Sequence, residues 1–176
     1  MSWGAWGKNF SFSEMQRIIE AIVDFGITSF DHADIYGGYT TESAFGSAFS
    51  KTSIARSKVQ FISKCGIQLI TPNRSNTTKH YDCSKAYIIS SAEASLRHLK
   101  TTYLDALLIH RPNPLMHPYE VMEAVEQLKK EGKITGFGVS NFTPSQLDLI
   151  STEVGVDVHQ IEFSAVKCQA LFDGCL

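Results

Sequence analysis

Short, continuously apolar runs separated by segments of helical period restrict this chain's fold more than any other feature. The run "DALLI" at 105–109 lacks the polar–apolar alternation of a strand with one wet face. It suits a strand covered on both sides. Reading from the start, Ser11-x-x-Glu14 has the form of a capping box, and Met15, Ile18, Ile19, Ile22 and Phe25 follow on one helical face, with Gly26 to close. "ITSFDHA" then predicts a strand, "TESAFGSAFSK" a helix and "VQFISKCG" a strand. A long polar stretch, "IQLITPNRSNTTKHYDC", leads into a helix over Ser84 to Leu99. After it come the strand "YLDALLIHRP", a helix opened by Pro118 and closed by Gly132, and the strand "KITGFGVSNF". Thr143-Pro144 starts the last helix, and "VDVHQIEFS" is the last strand.

With a first strand at the very start of the chain, the count is six strands and five helices, about six βα units. Alternation of this kind means parallel pairing with right-handed crossovers, an α/β fold. At 176 residues, 43% of them hydrophobic, the chain can bury a core as a single domain over 1–176.

Composition excludes several classes of partner. Sixteen Lys and Arg stand against 18 Asp and Glu, and no basic tract marks a nucleic-acid face. No apolar stretch approaches the length of a membrane span, and the start lacks the pattern of a signal peptide, so the expected compartment is the cytoplasm. Four widely spaced cysteines, Cys65, Cys83, Cys168 and Cys175, argue for reduced structural thiols and against a zinc site. His80, Asp82 and Cys83 offer three ligand types in a loop, which reads better as a solvated lid than as a metal centre. His98 and His117 read as surface residues.

The polar residues fall at one end of the strands. Asp31, Lys64, His110, Ser140 with Asn141, and Gln160 with Glu162 close successive strands, and Tyr36 follows Asp31 by a short turn. In a parallel sheet those ends share one face, and contributions from consecutive strands suit a closed (β/α) barrel with its site at the top rather than a single switch point. "GFGVSN" lacks the third glycine of a dinucleotide fingerprint, and no P-loop spacing occurs. Asp, Tyr, Lys and His at such a face suit protonation of an oxygen while a hydride arrives at its carbon. A lysine ammonium would lower a tyrosine from near 10 toward neutrality, which takes about 4 kcal/mol, and Asp31 would keep Lys64 charged. His110 would orient the carbonyl. Asp34, the other carboxylate of "FDHADIYGG", reads as a structural capping group.

The D-x-x-x-x-Y-G of Asp31, Tyr36 and Gly37, "ISKCG" at Lys64, "LLIHRP" at His110, "GVSNF" at Ser140 and Asn141, and "HQIEFS" at Gln160 resemble the aldo-keto reductase superfamily. "SAEASLRHLKT" and "LLIHRPNPLM" further resemble a bacterial branch of oxidoreductases within it. The resemblance implies a (β/α)8 TIM barrel and an NADPH-preferring reduction of a small aldehyde or ketone. It assigns Tyr36 as general acid, Lys64 as its partner, Asp31 as counter-ion and His110 as orienter. Asp31, Ser140, Asn141 and Gln160 would contact the cofactor NADP(H), the last three through the nicotinamide carboxamide. His159 departs from the asparagine that commonly precedes the glutamine in relatives. Against eight strands in such a barrel, six here imply an incomplete one whose C-terminal units lie outside the chain. Its open strand edges invite self-association. Two other readings stay open: a truncated, non-catalytic interaction subunit, and a lyase that forms a Schiff base on Lys64.

Overall fold

The computed structural model describes residues 3–175. In chain order they form α1 (Phe12–Asp24), β1 (Ser29–Asp31), α2 (Thr41–Phe49), β2 (Gln60–Cys65), β3 (Ile67–Gln68), β4 (His80–Tyr81), α3 (Lys85–Leu99), β5 (Leu104–Ile109), α4 (Pro118–Lys130), β6 (Ile134–Ser140), α5 (Pro144–Ser151) and β7 (Val158–Gln160). Short 3-10 turns lie at Arg56–Lys58 and Gln169–Leu171.

Five strands form one parallel sheet in the order β1-β2-β5-β6-β7. The order follows the chain and never reverses. Crossovers of a single hand then put α2 to α5 on one face of the sheet and leave the other as a barrel interior. This is the α/β barrel architecture expected, but the described residues hold five strands of the barrel sheet, not six. Residues 3–10 contribute turns rather than the first strand. A second difference is the antiparallel pair β3–β4, which folds the long polar segment back on itself.

Local chemistry explains the helix limits. The Ser11 amide donates to Glu14 Oε2 at 2.8 Å and the Glu14 amide to Ser11 Oγ at 3.4 Å, which completes the capping box of α1. Met15 and Ile19 are buried, whereas Phe25 lies past the last helical turn and is 85% exposed, so it is not part of the packed face. Gly26 (φ 85°) and Gly132 (φ 69°) take the left-handed conformation that ends α1 and α4. Thr143 and Gln146 form a second capping box, at α5.

The two sheet faces differ in kind. Phe61, Leu107, Ile109, Phe137 and Val139 join the helices in the main core. Interior-facing neighbours are smaller: Ile62 pairs with Ala106, which pairs with Gly136, and Lys64 pairs with Leu108, which pairs with Gly138. This inner row turns polar toward the C-terminal ends, with Lys64 on β2, His110 after β5 and Ser140 on β6. At the opposite end Asp105 closes the sheet, accepting from Arg56 Nη2 at 2.6 Å and from the Phe61 amide at 2.8 Å. Polar groups at that end hold the strands together, which leaves the C-terminal ends free for a site.

Candidate active site

Strand alternation puts Lys64 on the interior face while its neighbours Ser63 and Cys65 point toward the helices. Lys64 is 2% exposed, and a buried ammonium requires partners. It has three: Asp31 Oδ1 at 2.5 Å, the His32 carbonyl at 2.8 Å and Tyr36 Oη at 3.4 Å. All three ammonium hydrogens are thereby used. The contact to Tyr36 is long and therefore weak, but its direction matters: Lys64 donates, so the phenol's own hydrogen is left to point elsewhere.

Tyr36 comes from a tight turn rather than a strand. Its amide donates to the Ala33 carbonyl at 3.1 Å, and Gly37, Gly38 and Tyr39 follow with φ of 62°, 65° and 71°. Gly37 is required there, because a Cβ would meet Thr41 Oγ1 at 2.5 Å and Thr40 Oγ1 at 2.9 Å. His110, just past β5, completes the group. Its ring stands edge-on to Tyr36, centroids 5.8 Å apart and planes at 80°.

The electrostatics differ from the sequence expectation in one respect. Burial, followed by the Asp31 charge, pushes Tyr36 up to about 12, with Arg111 opposing. The expected fall toward neutrality does not occur: burial of the phenol outweighs other influences, and the Asp31 charge adds to the rise. Tyr36 therefore keeps its proton throughout the neutral range. Burial also lowers Lys64, with Asp31 resisting. His110 is pushed down to about 4 by burial, with the positive charges of Lys64 and Arg111 adding to it. A neutral imidazole results at neutral pH. Its Nδ1 is buried without a partner among the described residues, an arrangement that costs about 1–3 kcal/mol where nothing else binds.

The predicted cofactor-contacting residues line the adjoining strand ends. Ser140 pairs with Gln160 across β6 and β7, and the Gln160 side-chain amide donates to Asp31 Oδ1 at 3.1 Å. Asn141 turns the chain out of β6 with φ of 60°, and its side-chain Nδ2 donates to Ser140 Oγ at 2.7 Å. The Asn141 and Gln160 side-chain carbonyl oxygens accept no hydrogen bond from the described residues. Asp31 thus joins the two groups. Glu162 is exposed and bonded only to Lys167, apart from them.

Four further contributors were not read from the sequence: His32, Arg111, Tyr87 and Ser91. His32 acts through its backbone carbonyl, for which no side-chain signal exists. Arg111 exerts its influence from an exposed position beside His110. Tyr87 and Ser91 bond Asp34 from α3, and the available signal was a polar pair four residues apart on the buried side of that helix. Among the described residues no group of three or more His, Cys, Asp or Glu is placed to hold a metal ion, the trio His80, Asp82 and Cys83 included. No described helix is long and apolar enough to cross a membrane.

Comparison with known proteins places the fold in a family. The Aldo/keto reductase family model matches residues 1–175. The chain is 45% identical to the uncharacterized oxidoreductase YcsN of Bacillus subtilis, over 96% of this chain and 57% of that protein. It is 43% identical to the oxidoreductase YdhF of Escherichia coli, over 99% and 59%. A 6-dehydroglucose reductase of Agrobacterium fabrum is 38% identical over 93% and 56%. The chain thus spans less than two thirds of the length of these relatives. Among solved structures, the glycerol dehydrogenase AKR11B4 of Gluconobacter oxydans superposes with a TM-score of 0.79 at 28% identity, over 88% of this chain and 46% of that one. The thermostable aldo-keto reductase Tm1743 gives 0.79 at 26% identity, over 98% and 60%. With a parallel α/β sheet in unreversed strand order, a family match over residues 1–175 and relatives of the same family, this protein belongs to the aldo-keto reductase family.

Proposed function

We propose that this chain carries the proton-delivery half of a nicotinamide-dependent carbonyl reductase, one that reduces an aldehyde or ketone to an alcohol. One observation supports the reading above the rest: Lys64 Nζ bridges Asp31 and Tyr36, while the Tyr36 ring stands against His110. Tyr36 holds a proton that Lys64 does not compete for. The neutral His110 imidazole can hydrogen-bond a substrate oxygen and hold it toward the phenol. As negative charge develops on that oxygen, the Tyr36 proton crosses to it, and the Lys64 ammonium stabilises the phenolate left behind. Asp31 keeps Lys64 charged despite burial.

A reduced nicotinamide would supply the hydride. Ser140, Asn141 and Gln160 suit its carboxamide in chemistry, since two amides and a hydroxyl offer both donors and open acceptors. They would fix which ring face meets the substrate, a matter of placement. We take NADPH as the preferred form from the family resemblance, and a soluble cytoplasmic setting with it. The substrate class is a small carbonyl compound. The relative named 6-dehydroglucose reductase and the structural neighbour named glycerol dehydrogenase favour trying polyhydroxylated carbonyls first.

The Schiff-base alternative is disfavoured by Lys64 itself, whose three hydrogens are engaged and whose lone pair is protonated. Borohydride in the presence of aldehyde should leave Lys64 unmodified. The reductase reading is tested by nicotinamide absorbance with NADPH or NADH and short or polyhydroxylated aldehydes. Saturable turnover, faster with NADPH, is expected. Saturable cofactor binding with no turnover of any aldehyde or ketone would contradict the reading and favour a non-catalytic role.

A further inference from the structure

Asp34 lies between Asp31 and Tyr36 in the chain, yet it takes no part in the Lys64 network. Its carboxylate is 7% exposed and accepts three hydrogen bonds: from Tyr87 Oη at 2.9 Å, from Ser91 Oγ at 3.1 Å and from the Ile35 amide at 2.6 Å. Its own amide donates to the Lys64 carbonyl at 3.0 Å. Asp34 therefore touches β2 through its backbone and α3 through its side chain, two residues before Tyr36.

A carboxylate that only capped this turn could do so from solvent. This one is buried with no cation bonded to it among the described residues. The charged or titratable groups that share its field are Glu42 on α2, Cys65 on β2, Tyr39 in the turn and Tyr87 on α3, none of them cationic at neutral pH. Burial pushes the Asp34 carboxyl up to about 7, against the three donors. The segment that follows is tied into a turn by its own backbone: the Gly38 amide donates to the Ile35 carbonyl at 3.0 Å, and the Thr40 and Thr41 amides donate to the Tyr36 carbonyl at 3.2 Å. The position of the Tyr36 ring is then set by where the preceding turn is anchored.

We propose that Asp34 is a positioning residue for Tyr36: its carboxylate ties the turn that carries the tyrosine to α3 through Tyr87 and Ser91, and so fixes the phenol over Lys64 and beside His110. The inference rests on the reading of Tyr36 as proton donor. Removing a donor on α3 loosens the tie from a distance, without altering any group that faces the substrate. Water then reaches the phenol, and the burial that holds its proton is relieved.

NMR of the chain with ring-labelled tyrosine tests this, with the Tyr36 signal assigned by its loss in Tyr36→Phe. In Tyr87→Phe, and separately in Ser91→Ala, the Tyr36 midpoint should fall from about 12 toward the ordinary value near 10, by about one unit or more. Ser95→Ala, which removes an equally buried hydroxyl of α3 that bonds Ser63 and not Asp34, should leave the midpoint where it was. Turnover in Tyr87→Phe should fall about tenfold in kcat with KM little changed, the mark of a misplaced proton donor. Folded Tyr87→Phe and Ser91→Ala chains whose Tyr36 midpoint matches the unsubstituted protein would overturn the proposal. Full carbonyl reduction by Tyr36→Phe would instead overturn the proton-donor reading, and it is scored separately from the NMR result.

Discussion

At the scale of single residues, two carboxylates three positions apart in sequence, Asp31 and Asp34, sit in contrasting environments that decide how the site behaves. Asp31 is part-exposed and paired with an ammonium; Asp34 is buried and faces only neutral donors. The sign of their pH effects follows. Asp34 has a folded-state value raised from 3.8 to about 7, so the folded chain holds a proton there that the unfolded chain has already lost. Stability from this group is complete below about pH 4 and is lost as pH rises to about 7, by up to about 4 kcal/mol. Asp34→Asn should remove that slope. Chemical denaturation at several pH values should show the variant gaining on the unsubstituted protein as pH rises from 4 to 7, and parallel profiles would contradict the assignment. His110 works in the opposite sense: its value is lowered to about 4, so its contribution is lost as pH falls below the ordinary histidine value. The Asp31-to-Tyr36 spacing made half of this site legible in the sequence. The weight of Asp34 was not, because Tyr87 and Ser91, the residues that bury and bond it, lie on a helix more than 50 positions away.

At the scale of elements, end signals were more readable than contacts. The capping box at Ser11–Glu14, the Thr143 cap of α5 and the N-terminal prolines of α4 and α5 occur where the residue pattern put them, and the structure adds Gln146 as the second half of a box at Thr143. Thr143→Ala should cost about 1 kcal/mol through the lost cap of α5, measurable as a lower denaturation midpoint. The β3–β4 pair was unreadable, since two-residue strands carry no period, and its place is set by tertiary bonds. Tyr39 Oη accepts from the Leu69 amide at 3.0 Å, and Asn73 donates to the Gly38 carbonyl at 2.8 Å. Gly46 shows the same limit. Its meaning is a close approach of α2 to α3, where a Cβ would strike the His98 carbonyl oxygen and the Leu99 backbone. Gly46→Ala should force the helices apart and cost about 1–3 kcal/mol, despite alanine's better helix propensity. Equal or higher stability of that variant would show that the helices have room to give.

At the scale of the whole molecule, the unreversed strand order matters most, because it turns five separate strand ends into one face. The alternation of apolar runs with helices predicted that order, but it could not count the strands at the chain's start. Segment 3–10 is turn-forming, and Trp3 instead packs edge-on to Phe30 with centroids 6.4 Å apart. The sheet is covered unevenly. β5, flanked on both sides, is buried almost throughout, whereas β7 is only half-buried. Hydrogen exchange should be slowest at β5 amides and fastest, among the sheet strands, at β7. Uniform protection in solution would indicate that another chain covers the β7 edge. The measurement that bears most directly on the account is carbonyl reduction by Tyr36→Phe, a change that removes one oxygen and leaves the ring against His110. A folded protein with cofactor affinity unchanged and kcat/KM lowered by about 100-fold or more is the expected result. A variant that reduces the same carbonyl at the rate of the unsubstituted chain would show that the proton comes from elsewhere.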